Sequence, residues 1–133
     1  IATPLPGSEM FEVAIKNNYL KDDYLSADFK KAVVETKDFS AEYIEETSYL
    51  LNLELNFTAN SDFRLGNYEV ALKGFENAIK ARSDHALAYY YAAKAYEKFG
   101  NMEKSEQYMK LAKKIMAEQP FWRDYAAKFK LTL

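Results

Sequence analysis

Apolar residues recur at three- and four-residue spacing along most of the chain, and the intervals between them predict a succession of helices. Phe11, Ala14 and Ile15 give one face to a helix from Glu9 to about Asn18, with Ser8 as its cap. Ser40 can cap a second helix from Ala41. Its pattern runs through Ile44, Thr47, Leu51, Leu55 and Thr58 towards Leu65 without a glycine or proline, so one long helix is predicted there. Its acidic start, Glu42, Glu45 and Glu46, suits the positive end of a helix.

A repeat comes next. The stretch LGNYEVALKGFENAIKA at 65–81 returns as FGNMEKSEQYMKLAKKI at 99–115, a shift of 34 residues. Gly66, Asn67, Glu69, Ala78 and Lys80 recur as Gly100, Asn101, Glu103, Ala112 and Lys114, and Phe75 becomes Met109. The shift extends backwards to pair Leu55 with Tyr89 and Ala59 with Ala93, so the unit is two helices joined at the glycine. Gly66 and Gly100 can take the left-handed conformation that ends one helix, and Asn67 and Asn101 can cap the next. Ala71, Ala78 and Ala112 allow close helix approach. Beyond the repeat, Pro120 stands at a favoured first-turn position, and Trp122, Tyr125, Ala126 and Phe129 occur at helical spacing, as in a capping helix over 120–130.

These residues resemble the tetratricopeptide repeat, with units at about 52–85 and 86–119. The resemblance implies an all-α fold of tetratricopeptide-like helical hairpins in a right-handed superhelix, with extra N-terminal helices and a C-terminal capping helix. It implies residues 41–133 as the repeat domain, and residues 1–40 as the end of a preceding domain with linker helices. It also implies a concave groove lined by the leading helices, for which the aligned positions nominate Asn56, Asn60, Phe63 and Arg64 from the first unit and Tyr90, Lys94, Glu97 and Lys98 from the second. Asn60 and Lys94 fall where some family members grip a terminal carboxylate, but Tyr91 replaces an Asn of that clamp. Two repeats are fewer than the roughly three that such arrays usually need, so flanking helices must cover the ends.

The opening residues, IATPLPGSEMFEVAIKNNYL, and the later ETKDFSAEYIEE are similar to the segment that closes the catalytic barrel of radical S-adenosylmethionine (SAM) enzymes, particularly those with a cobalamin-binding domain. Residues 1–5 then read as an extended stub, because residues before proline avoid the helix and Pro4 cannot pair fully in a sheet. The resemblance implies a parent enzyme with a 4Fe-4S cluster, S-adenosylmethionine and cobalamin, of which this chain is a C-terminal part. The chain has no cysteine, so these residues cannot hold the cluster themselves.

Composition narrows the chemistry. The 133 residues are 49% hydrophobic, enough for one core, with 4 Gly and 3 Pro too few for many tight turns. The absence of cysteine excludes disulfides and suits a reducing cytoplasm. No apolar run approaches the roughly 20 residues of a membrane span. Residues 1–62 carry 5 Lys against 12 Asp and Glu, net −7, and residues 63–133 carry 13 Lys and Arg against 8 Asp and Glu, net +5. Neither half is a basic stripe of the kind that binds nucleic acid.

No residue set has the form of an active site. Asp84 reads as the cap of the next helix and His85, the one histidine, as a first-turn surface residue. Glu45, Glu46, Asp22 and Asp23 read as solvated faces. Of Tyr89, Tyr90 and Tyr91, at least one must point outward, and Tyr90 is the expected one. The expected role is non-catalytic: a scaffold or protein-interaction module with no cofactor of its own. Its partner is a protein or peptide, or the parent's own catalytic domain; the alternative is a self-contained peptide-binding adaptor. Exposed Tyr and Phe leave homodimerisation open.

Overall fold

The computed structural model describes residues 1–21, 24–26 and 31–132, so Asp22 and Asp23 lie outside the described residues. It divides into two compact units, 1–52 and 53–133.

The first unit holds helix α1 (Glu9–Lys16), a short 3₁₀ turn at Tyr24–Ser26 and most of helix α2 (Ala41–Leu53). Leu5, Pro6, Gly7 and Ser8 form a tight turn, with the Ser8 N–H donating to the Leu5 carbonyl at 3.0 Å and Gly7 at φ +85°. Proline before a positive-φ glycine is the signature of a type II turn. Ser8 then caps α1, its hydroxyl accepting from the Phe11 N–H at 3.2 Å. Residues 1–5 belong to no strand; an isolated antiparallel bridge joins Leu20 and Val34. Ser40 caps α2 as its sequence suggests, accepting from the Tyr43 N–H at 3.1 Å. Glu45 accepts from the Ala32 N–H at 2.8 Å, which ties α2 to the segment before it.

The second unit is an all-α repeat. Helices α3 (Ser61–Leu65) and α4 (Tyr68–Ala81) form one hairpin, α5 (Ala86–Lys98) and α6 (Met102–Glu118) the next, and α7 (Pro120–Lys128) packs on α6. Both hairpins close through the same device. The Asn67 N–H donates to the Asp62 carbonyl and the Asn101 N–H to the Tyr96 carbonyl, across Gly66 and Gly100 at φ +85° and +72°. These are Schellman ends, in which glycine takes the left-handed position at no steric cost. The core is apolar along α5, where Ala88, Ala92 and Ala93 are fully buried and admit Phe75, Leu87 and Trp122 around them.

Three sequence expectations need correction. The helix from Ala41 does not run unbroken to Leu65. After Leu53 it becomes a π-helical turn, Glu54–Thr58, in which the Ala59 N–H reaches back to the Glu54 carbonyl at 2.7 Å, and the chain then leaves the helix. Asn60 makes the break possible, because its Oδ1 accepts from the Phe63 N–H at 2.9 Å and its Nδ2 donates to the Asn56 carbonyl at 3.0 Å. Side chain replaces backbone at both sides of the interruption. The extra residue in the wide turn rotates the succeeding side chains by about 100°. Phe57 and Phe63 thereby meet Phe75, with ring centroids 5.7 and 6.2 Å away, whereas Leu51 and Leu55 of the expected apolar face are 49% and 64% exposed.

The second correction concerns caps. His85, not Asp84, caps α5: its Nδ1 accepts from the Ala88 N–H at 3.3 Å, while Asp84 pairs with Arg82 at 2.8 Å. Asn67 makes no cap bond and donates instead to Asp62 at 3.2 Å, although its counterpart Asn101 caps α6 by accepting from the Lys104 N–H at 3.1 Å. Third, Tyr90 is buried, at 3% exposure, and Tyr89 is the more exposed member of the trio.

Candidate functional site

The nominated groove residues come from the end of the π-helical turn, from α3 and from α5. The structure brings several of them together through aromatic contacts. Phe63 meets Tyr91 edge-on at 5.9 Å, and Tyr91 meets Tyr90 edge-on at 5.1 Å, forming an aromatic strip from the first hairpin to the second. Lys94 places its ammonium 5.0 Å from the centre of the Tyr90 ring, a cation–π arrangement. Arg64 is exposed beside this strip, and its charge acts on Tyr91. Burial nonetheless dominates at Tyr91 and pushes its phenol up to about 12, so it remains a neutral hydrogen-bonding group at ordinary pH.

Glu97 and Lys98 lie exposed at the end of α5. Asn56 is exposed, with its carbonyl engaged by Asn60. Asn60 is committed to the helix break through both ends of its amide, so it has little left with which to grip a partner. Tyr90 is also engaged: its hydroxyl donates to the Thr132 carbonyl at 3.2 Å, which lays the chain's own C-terminal residues over that end of the strip. Sequence periodicity cannot reveal such a contact, which spans 42 positions. The remaining accessible groups are mostly cationic: Arg64, Lys94 and Lys98 against Glu97.

Two further clusters escaped the sequence reading. His85 lies between rings from separate helical segments, 4.6 Å from Phe57 and 4.5 Å from Trp122. Arg82 sits 4.9 Å from the centre of the same indole. Burial first, and the Arg82 charge second, lower the imidazole to about 4, so it stays neutral and can accept at Nδ1. A histidine fixed this way is a structural cap and a packing element, with its ring faces covered. In the second cluster the Tyr96 hydroxyl donates to Glu76 at 2.5 Å, and Lys104 approaches that oxygen at 3.4 Å. Burial and the Glu76 carboxylate together raise the Tyr96 phenol well above its usual range.

Among the described residues, no three His, Cys, Asp or Glu side chains come together as a metal site. Among them, too, no helix is long and apolar enough to cross a membrane. The second unit thus holds the rings of Phe63, Tyr91 and Tyr90, the last two buried, on helices that also carry the accessible Arg64, Lys94, Glu97 and Lys98. No curated protein and no solved structure matches this sequence. Residues 58–120, which include both hairpins, match the tetratricopeptide repeat family.

Proposed function

We propose that the chain is a non-catalytic scaffold that holds an acidic peptide segment of a partner protein along the leading helices of its repeats. The observation that carries this reading is the set of accessible cations Arg64, Lys94 and Lys98 on α3 and α5, two helices joined by the packing of Phe63 on Tyr91. The rings of Tyr91 and Tyr90 are buried and serve as the frame, while the accessible cations favour a ligand with carboxylates. Helical repeats of this family serve protein–protein contacts, and the accessible groups of this strip hold no nucleophile–base pair.

The test is selection of peptides from a random display library on the whole chain, with the triple variant R64E/K94E/K98E as counter-selection. The reading expects enriched acidic sequences that lose at least about tenfold in affinity on the variant. Failure to enrich any peptide, or equal binding to both proteins, contradicts it.

Membership of a radical SAM polypeptide is a finer proposal, supported by the resemblance of roughly the first 45 residues to a barrel end. It places the partner segment within the parent enzyme or its assembly. Reading the coding sequence upstream tests it: an in-frame Cys-x-x-x-Cys-x-x-Cys motif is expected, and a start codon immediately before Ile1 contradicts it.

A further inference from the structure

Helix α7 begins 34 residues after α5, as α6 begins 34 residues after α4. It therefore stands in the register of another leading helix. Burial agrees, since Trp122 and Ala126 are buried like Ala88 and Ala92, their counterparts in α5. In the complete hairpin, α6 covers one flank of α5, with the Tyr108 ring between those of Tyr89 and Tyr96 at 5.5 and 5.2 Å.

Beside α7, a groove takes the place of such a helix. It has a volume of about 380 Å³, its floor includes Met116, Ala126 and Leu131, and its rim carries Lys113, Arg123 and Lys130 with no acidic residue in the lining. By the same register, Arg123 corresponds to Tyr89 and Lys130 to Tyr96. Two of the rings that receive α6 in the first case have become cations in the second.

Lys130 is held in an unusual way. The Lys130 N–H donates to the Ala127 carbonyl and the Leu131 N–H to the Ala126 carbonyl, both at 3.0 Å, which makes Lys130 the left-handed residue of a Schellman end at φ +52°. Glycine fills that place after α3 and α5, and a lysine there is strained. The turn brings Leu131 onto the groove floor and leaves Lys130 exposed at the rim.

The geometry points to this α6–α7 groove as a seat for one amphipathic helix with acidic flanks, supplied by a partner protein. The seat is helical because it repeats the one that α6 occupies. The flanks are acidic because three cations and no carboxylate border an apolar floor. The surface shares no residue with the groove of Arg64, Lys94 and Lys98, so it stands or falls separately.

The test uses two synthetic amphipathic helical peptides with one identical Leu/Ala face, one carrying Glu and the other Lys on its flanks. Their binding to the whole chain is read by fluorescence anisotropy, and their footprint by hydrogen exchange. The Glu peptide is expected to bind at least about tenfold tighter than the Lys peptide, with a preference that weakens as salt rises. R123E/K130E should reverse the preference and remove the footprint at 113–131, and K113E should reduce that preference. Circular dichroism confirms that each variant is folded. Equal affinity for the two peptides, an unchanged preference in both groove variants, or protection on α5 in place of 113–131 overturns the proposal. So does concentration-dependent self-association in light scattering that R123E/K130E abolishes, because a second copy would then be the occupant.

Discussion

The imidazole of His85 lies 4.5 Å from the indole of Trp122, with the ring planes 34° apart, and this pair joins the cap of α5 to helix α7. A local interaction and a long-range one thus depend on the same neutral side chain. Nδ1 holds the Ala88 N–H while the ring faces fill the space between Phe57 and Trp122.

Protonation of His85 should therefore weaken the fold. Its folded value is about 4 against an ordinary 6.5, so between those limits the unfolded chain binds the proton and the folded chain resists it. The stabilisation is complete above about pH 6.5 and lost as pH falls towards 4, by about 1–3 kcal/mol. Urea denaturation at a series of pH values, monitored through the fluorescence of the single tryptophan, measures the slope. H85N keeps a cap acceptor and should flatten that slope; an unchanged slope would locate the proton uptake elsewhere.

Trp122 is fully buried, and its Nε1–H has no partner among the described residues. W122A should cost about 3–5 kcal/mol through lost contact and the remaining cavity. W122F retains a ring and removes the unpartnered donor, so its cost should be much smaller. Urea midpoints for the two variants, read by circular dichroism, check the order.

The helix ends give a graded set. No heavy atom outside its neighbours lies within 4 Å of a Cβ built on Gly100, so G100A should cost about 1 kcal/mol through its positive φ alone. K130G should stabilise the chain by about 0.5–1 kcal/mol for the converse reason. N101A should cost about 1 kcal/mol, and N67A less, because of the two only Asn101 caps its helix. Thermal midpoints of the four variants test the ranking.

Y96F should cost about 1–3 kcal/mol by leaving the Glu76 carboxylate without its donor. Because Tyr91 and Tyr96 both hold their protons more tightly when folded, the stability they support is present below pH 10 and declines as pH rises above it. Alkaline denaturation of the unmodified chain and of Y96F, with tyrosinate absorbance as the probe, separates the two contributions.

The local signals were legible in the sequence. Ser8, Ser40 and Asn101 cap where their spacing suggests, Gly66 and Gly100 end helices with positive φ, and Pro120 opens α7. Each of these depends on a few neighbouring residues. The break at Asn60 was not legible, because 41–65 contains no glycine or proline and its apolar spacing fits a continuous helix. The wide turn arises from the packing of Phe57 and Phe63 on Phe75, which lies in the next helix. The exchange of roles between Asp84 and His85 has the same origin, since Phe57 and Trp122 decide that the imidazole is covered. Tyr90 is buried and donates to the Thr132 carbonyl, a contact with a segment far along the chain that its local sequence does not show. Of the nominated residues, the exposure of Arg64, Glu97 and Lys98 accords with the repeat register, whereas the commitment of Asn60 and Tyr90 to internal contacts could not be read from it.

The central claim, that the leading helices of this repeat hold a peptide, is tested most directly by titrating the isotope-labelled whole chain with a display-selected acidic peptide and tracking the amide resonances. The account predicts saturable shifts centred on Phe63, Arg64, Lys94, Glu97 and Lys98 that vanish in R64E/K94E/K98E. Shifts confined to other surfaces, or none at peptide concentrations that saturate binding, would contradict it.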